Sequence, residues 1–215
     1  MGAVNWETMI QARRMVSFLP LCAMLLILGC ADPAPEHLER GKSYRSQGQL
    51  AEAIVEFNKA VELAPELAQA YYLRSCVHGD MKQWDLAVAD MTKAIELEPN
   101  NSTFLGFRGA LYSKKGQYML AISDLDKAIE LGPPSAWIYY KRGFAHNTMM
   151  RYELAIADLS KAIELDPSMP DAYNIRAQAY TRIGQHGLAS ADWDKMFDLL
   201  LDSPGAADGS KQGSE

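Results

Sequence analysis

Residues 142–167 read RGFAHNTMMRYELAIADLSKAIELDP, and the same cassette stands 34 residues earlier as RGALYSKKGQYMLAISDLDKAIELGP over 108–133. It recurs as RSCVHGDMKQWDLAVADMTKAIELEP at 74–99, as RGKSYRSQGQLAEAIVEFNKAVELAP at 40–65 and as RAQAYTRIGQHGLASADWDKMFDLLL at 176–201. Ala53, Ala87, Ala121, Ala155 and Ala189 keep that register without a slip. Each cassette holds two helical patterns joined by a short turn. Gly48, Gly116 and Gly184 mark the turn, where glycine enters a left-handed backbone at little cost. Pro65, Pro99, Pro133 and Pro167 stand at one fixed place after the second pattern, because proline cannot continue a helix interior. A period of 34 carrying two helices per unit is the arithmetic of a helix–turn–helix solenoid.

Over about residues 34–203 the chain resembles a tetratricopeptide-repeat protein. The resemblance implies an all-α fold, a right-handed superhelical solenoid of five helix–turn–helix units. Their bounds are 34–67, 68–101, 102–135, 136–169 and a divergent terminal unit at 170–203. Gly41, Ser75, Gly109, Gly143 and Ala177 on the first helices are expected to face the fixed alanines, so that two helices approach closely. Phe57, Met91, Leu125, Leu159 and Trp193 are expected to fill space toward the next unit. Leu63, Leu97, Leu131, Leu165 and Leu199 are expected to close each second helix as core.

The formal charge is −6 over 215 residues. No basic run or face appears, so a nucleic-acid backbone is not an expected partner. Cys22, Cys30 and Cys76 are widely spaced and form neither a metal pattern nor a CxxC.

Arg13 and Arg14 precede an apolar run, MVSFLPLCAMLLIL, over 15–28. Fourteen residues at about 1.5 Å each fall short of the roughly 30 Å hydrocarbon core, so the run reads as a signal peptide over 1–29. Ile27-Leu28-Gly29-Cys30 resembles the bacterial lipobox, which implies lipidation of Cys30 and a short Pro-rich tether over 30–36. Asp is absent directly after Cys30, where Ala31 stands. The resemblance therefore implies a lipid-anchored protein of the bacterial envelope, at the outer membrane and facing the periplasm. An ordinary cleaved signal, giving a secreted or periplasmic protein, and an uncleaved anchor both remain open, as does a start at Met9 rather than Met1.

Arg40, Arg74, Arg108, Arg142 and Arg176 recur at one unit position, and Lys59, Lys93, Lys127, Lys161 and Lys195 at another. Asp90, Asp124, Asp158 and Asp192 precede the last four lysines by three residues, with Glu56 at the matching place in unit one. One reading is a basic ladder for an acidic ligand. The other is structural: Arg–Asp contacts between helices and i,i+3 pairs along the second helix. Identical charges in every unit favour the structural reading, because a binding site differs from unit to unit.

The units do differ on the first helix, which lines the concave surface of tetratricopeptide arcs at unit positions 2, 5, 9, 12 and 13. Unit three is small there, with Thr103, Gly106 and Ala110. Unit two supplies Tyr72, unit four supplies Trp137, Tyr140, Phe144, Asn147 and Thr148, and unit five supplies Asn174, Gln178, Thr181 and Arg182. Aromatic area beside amides that both donate and accept suits an extended or helical peptide. The expected peptide groove is Tyr72, Trp137, Tyr140, Phe144, Asn147, Asn174, Gln178 and Arg182. The alternative for the aromatics is packing against neighbouring helices. The carboxylate clamp of chaperone-binding members is not reproduced, since Leu38 and Lys42 stand where its first pair belongs.

Unit five lacks the stop proline and carries Met196 for alanine, and the tail SPGAADGSKQGSE is Gly/Ser-rich, so residues 204–215 read as disordered. Met196, Phe197, Leu200 and Leu201 then form an apolar end suited to a homodimer. His78 and His146 occupy the slot held by Tyr44, Tyr112 and Tyr180 and read as packing residues. No nucleophile elbow, phosphate loop or paired-carboxylate motif appears, so neither catalytic residues, metal nor cofactor are expected. The expected function is a non-enzymatic, lipid-tethered scaffold that binds a peptide segment of another envelope protein. The alternatives are a self-associating or pilotin-like assembly factor of a pilus or secretion system, and an accessory that moves small ligands around Trp137.

Overall fold

The computed structural model describes residues 33–201. The apolar run 15–28, Cys30 and the 204–215 tail lie outside those residues. Among the described residues all regular structure is helical. The helices are α1 (Ala34–Ser46), α2 (Leu50–Leu63), α3 (Ala68–Asp80), α4 (Trp84–Leu97) and α5 (Ser102–Lys114). They continue with α6 (Tyr118–Leu131), α7 (Ala136–Thr148), α8 (Tyr152–Leu165), α9 (Pro170–Arg182) and α10 (His186–Leu201). None of them is long and apolar enough to cross a membrane. The chain divides into two compact units, one ending at Arg74 and the other beginning at Ser75.

Every hairpin turn places one residue in the left-handed region. Gly48, Gly116 and Gly184 sit at φ +74°, +72° and +77°, and Lys82 and Met150 sit at +59° where no glycine is present. The amide that follows donates back to the first helix. Gln117 N–H reaches the Tyr112 carbonyl at 2.9 Å and Arg151 N–H the His146 carbonyl at 2.9 Å. This double-turn closure satisfies helix carbonyls that would otherwise be orphaned. The second helices end at residues 63, 97, 131 and 165, two residues before each proline.

The fixed alanines are fully buried, and so are Phe57, Met91, Leu125 and Leu159. The large side chains do not merely point onward to the next hairpin. Each of three lies against the first helix of its own. A Cβ added to Gly41 would meet the Phe57 ring at 2.5 Å, one on Gly109 would meet Leu125 Cγ at 2.8 Å, and one on Gly143 would meet Leu159 Cγ at 2.8 Å. The first-helix glycines therefore face this side chain, and at Gly109 such a Cβ would also stand 3.1 Å from the Ala121 carbonyl oxygen. In α3, Ser75 Oγ donates to the Ala87 carbonyl at 2.7 Å. Two expectations need correction. Leu131 and Leu165 are exposed rather than core. Trp193 is only half-buried, whereas Phe57, Met91, Leu125 and Leu159 at the same unit position are fully buried.

In the second unit the arginines join hairpins. Arg108 Nε and Nη2 donate to Asp124 at 2.7 and 2.9 Å, Arg142 to Asp158 at 2.8 and 2.6 Å, and Arg176 to Asp192 at 2.8 and 2.7 Å. The third nitrogen reaches the preceding second helix, at Thr92 Oγ1, Asp126 Oδ1 and Ser160 Oγ respectively. These bidentate pairs are charge-assisted and nearly excluded from water. In the first unit Arg40 Nε lies 3.1 Å from Glu56, which also accepts from His37 at 2.7 Å. Lys59 takes its expected i,i+3 carboxylate at Glu56. Lys93 and Lys161 turn forward instead, to Glu96 and Glu164, while Arg142 takes Asp158.

Candidate functional site

The surface that varies between hairpins lies along α5, α7 and α9 of the second unit. The α5 helix is small at Gly106, and the Trp137 ring of α7 fills the space left there: a Cβ at Gly106 would stand 3.3 Å from Trp137 Cζ3. Phe107 meets Trp137 with ring centroids 5.1 Å apart and planes tilted by 38°. Trp137 thus packs on the cluster formed by Leu105, Leu125 and Ile138 while staying half-buried. Tyr140 packs on the next cluster, beside Ala155, Leu159 and Ala172. Both aromatics thus pack against neighbouring helices while remaining partly exposed.

Lys141 was not a sequence candidate, yet its ammonium sits 5.6 Å from the Trp137 ring centroid and 5.0 Å from that of Tyr140. Burial holds its pKa below the ordinary lysine value, and the charge of Lys114 adds to the effect while Asp171 opposes it. Burial likewise raises the Tyr140 phenol, with the negative charge of Asp171 second. The signal was present in the sequence as Trp137 and Lys141 at i,i+4, the spacing that stacks two side chains on one helix face.

Asn147, Gln178 and Arg182 come together at the far end of α7 and α9. With Thr148 and Thr181 they line a cleft of about 350 Å³ whose apolar wall is Met150, Tyr152 and Trp193. The Oδ1 atom of the lining residue Asn147 is buried without a hydrogen-bond partner. Gln178 Nε2 donates to Asn174 Oδ1 at 3.2 Å, and both threonine hydroxyls donate to carbonyls of their own helices. The hydroxyl oxygens and the Gln178 carbonyl remain able to accept, and Arg182 remains able to donate. Met150, Tyr152 and Trp193 escaped the sequence reading because they lie on a turn and on second helices, outside the first-helix positions considered. Phe144 is half-buried on α7. Tyr72 belongs to the first unit and is half-buried there.

At the apolar end, Phe197, Leu200 and Leu201 are exposed and Met196 is half-buried. His146 is buried, with Nδ1 unpartnered and Nε2 3.9 Å from Asp158. It lies where Tyr112 and Tyr180 stack on Arg108 and Arg176 in the flanking hairpins. Burial lowers its pKa, and Arg142 and Arg151 lower it further against Asp158. His78 Nδ1 lies 2.7 Å from Gln83 Oε1. Among the described residues no three His, Cys, Asp or Glu side chains gather to hold a metal.

Family models described as TPR repeat match residues 41–79 and 109–149, and models described as tetratricopeptide repeat match 68–101 and 136–169. Together they span more than half of the chain. Among curated proteins no sequence matches. Solved structures do. MamA 41-end from Desulfovibrio magneticus RS-1 is 22% identical over 81% of this chain and 98% of its own, with a TM-score of 0.74. YrrB, described as a TPR protein with an unusual peptide-binding site, is 23% identical over 78% of this chain and 86% of its own, at 0.65. PilW, described as a widely conserved type IV pilus biogenesis factor, is 18% identical over 79% of both chains, at 0.73. At these identities the likeness is one of fold.

Proposed function

The chain belongs to the tetratricopeptide-repeat family, whose members serve as protein-interaction scaffolds, and on that premise we propose that it binds an extended segment of another envelope protein along α7 and α9. One observation carries the reading: the buried, unpartnered Asn147 Oδ1 in a cleft that also presents Gln178 and Arg182. An orphaned acceptor costs on the order of 1–3 kcal/mol, which a peptide N–H relieves once the Asn147 amide turns toward the cleft. Gln178 and Arg182 add acceptor and donor capacity for the peptide carbonyls or an acidic side chain, and Tyr152 and Trp193 supply apolar area. Trp137, Tyr140 and Lys141 extend the same face toward α5, where Gly106 leaves room. YrrB, with its peptide-binding site, supports a peptide as the ligand class.

Residues 27–30 lead us to propose further that Cys30 is lipidated and holds the scaffold on the outer membrane, facing the periplasm. Incorporation of an alkyne fatty acid that disappears in Cys30→Ser supports this; equal labelling of both proteins rejects it. The binding site is tested by photo-crosslinking in cells from position 140 or 144, followed by mass spectrometry. One dominant foreign protein is the expected result. Adducts only to its own copies, or none, overturn the groove and leave the aromatics as packing. A pilus or secretion subunit is the second partner class, suggested by the similarity to PilW.

Self-association through α10 is a second reading, favoured by the exposure of Phe197, Leu200 and Leu201. Such an isologous contact closes at a dimer. A chain that stays monomeric at high concentration in sedimentation rules it out.

A further inference from the structure

We propose that the second unit docks edge to edge on a second copy of this chain, the basic turn edge of one copy against the acidic loop edge of the next. The hairpins of this unit have two ends. At one end lie the turns that enter α4, α6, α8 and α10. At the other lie the loops 98–101, 132–135 and 166–169. Lys82, Lys114, Lys115, Arg151 and Arg182 stand at the turn end, and of these only Lys115 has a carboxylate partner among the described residues, Asp85 at 2.6 Å. Asp80 and Glu153 partly offset the rest. At the loop end the stretches 96–101, 130–135 and 164–169 carry Glu96, Glu98, Glu130, Glu164 and Asp166, and contain no lysine or arginine at all.

The helix poles favour the cations of one edge and oppose the carboxylates of the other. Lys114 and Arg182 lie in the last turns of α5 and α9, where a cation suits the negative pole of the helix. Glu96, Glu130 and Glu164 also lie in last turns, of α4, α6 and α8, where a carboxylate opposes that pole and no basic residue shares the turn. Lys93 and Lys161 bond Glu96 and Glu164 from the preceding turn, and Glu130 has no such bond. An acidic edge that its own helices disfavour suits a basic surface from outside.

Apolar side chains follow the same two edges. Leu86, Leu120, Leu154 and Leu188 recur every 34 residues just inside the turns, each 50–52% exposed. Leu131 and Leu165 are exposed beside the loops. At the tip of the α7–α8 turn Met150 is 74% exposed and sits at φ +59°, where three other turns place glycine. A strained, exposed methionine is not what the turn requires, and strain of this kind marks a surface with another use. Both edges are generated by one stack of hairpins, so the rows on them share one spacing. Leucine and cation rows of one copy can therefore register on leucine and carboxylate rows of another. The contact is heterologous, leaving a free edge of each kind, and it builds assemblies larger than a dimer.

Charge reversal separates this arrangement from the others. The full chain in mild detergent is followed by sedimentation over a range of concentrations, for wild type, Lys82→Glu/Arg151→Glu and Glu130→Lys/Glu164→Lys. Wild type is expected to grow past the dimer, about tenfold more weakly on moving from about 50 mM to about 500 mM salt. Each variant alone is expected to stay monomeric while keeping wild-type helicity, and an equimolar mixture to associate again. Rescue by mixing excludes misfolding as the cause of either loss. Association that stops at a dimer and ignores salt overturns the edge contact in favour of α10. A wild-type chain that is monomeric, with Met150 shielded from peroxide only on phosphatidylglycerol-containing vesicles, overturns it in favour of a lipid surface.

Discussion

The hairpins α5–α6 and α7–α8 share one interior and present opposite surfaces. Inside, Arg108 and Arg142 clasp Asp124 and Asp158 with the same two nitrogens, and a Cβ added at Gly109 or Gly143 would meet Leu125 or Leu159 Cγ at the same 2.8 Å. Outside, α5 offers Gly106 where α7 offers Tyr140. Features repeated in every unit stabilise the stack, whereas those that occur once are free to recognise something. Removing a repeated feature should therefore unfold, and removing a single one should alter binding.

The largest expected loss comes from the carboxylates. Asp124→Ala strands Arg108 with only the Thr92 hydroxyl, and loss of one member of a buried pair costs about 3–5 kcal/mol. Asp158→Ala should cost about 1 kcal/mol less, because Arg142 keeps Asp126 at 2.6 Å. Urea unfolding of both variants measures the gap; equal losses would show that Asp126 adds nothing. Next in size are the glycines. Gly143→Ala drives a Cβ into Leu159 and should cost about 1–3 kcal/mol. Gly106→Ala meets only the edge of the Trp137 ring and gains helix propensity, so its stability should stay within about 1 kcal/mol of wild type. Crosslinking from position 140 should nonetheless fall as Trp137 shifts.

His146 marks a departure within the interior itself, standing where the flanking hairpins use Tyr112 and Tyr180. Its pKa in the folded chain is lowered from 6.5, so the unfolded chain binds the proton first as pH falls. Above about pH 6.5 the histidine should be silent; below it, stability should drop with acidification until the folded form is also protonated. Thermal melts of His146→Tyr and wild type should diverge as pH is lowered from 7 to 5, both values being about the range in which histidine titrates. Parallel curves would place the acid sensitivity elsewhere. The smallest effect is at the turns. Met150→Gly should stabilise by about 0.5–1 kcal/mol by relieving the left-handed strain, net of the freedom glycine adds to the unfolded chain. It should also weaken edge-to-edge association.

The fold was legible wherever the sequence repeats. The period of 34, the turn glycines, the stop prolines and the fixed alanines are local or strictly periodic signals, and they define the hairpins without reference to any distant contact. The arginine ladder was legible as a structural set for the same reason, though Lys93 and Lys161 turn forward to Glu96 and Glu164 rather than back to the expected aspartates. The proposed groove was legible only in part. Trp137, Tyr140, Asn147, Gln178 and Arg182 were visible as departures from the repeat on the first helix. Lys141 was visible in principle through its i,i+4 spacing from Trp137.

By itself, then, the sequence determined the helices, their pairing into hairpins and the positions at which one unit is unlike the next. Only the tertiary structure decided what each aromatic packs against and which carboxylate each cation takes. It alone decided that Asn147 lacks a partner, that Trp193 forms the wall of a cleft, and that Leu131 and Leu165 face water. The physical reason is the range of the interactions. Helix and turn preferences act within a few residues and repeat with the chain, whereas burial and hydrogen-bond completion depend on atoms brought from the neighbouring hairpin.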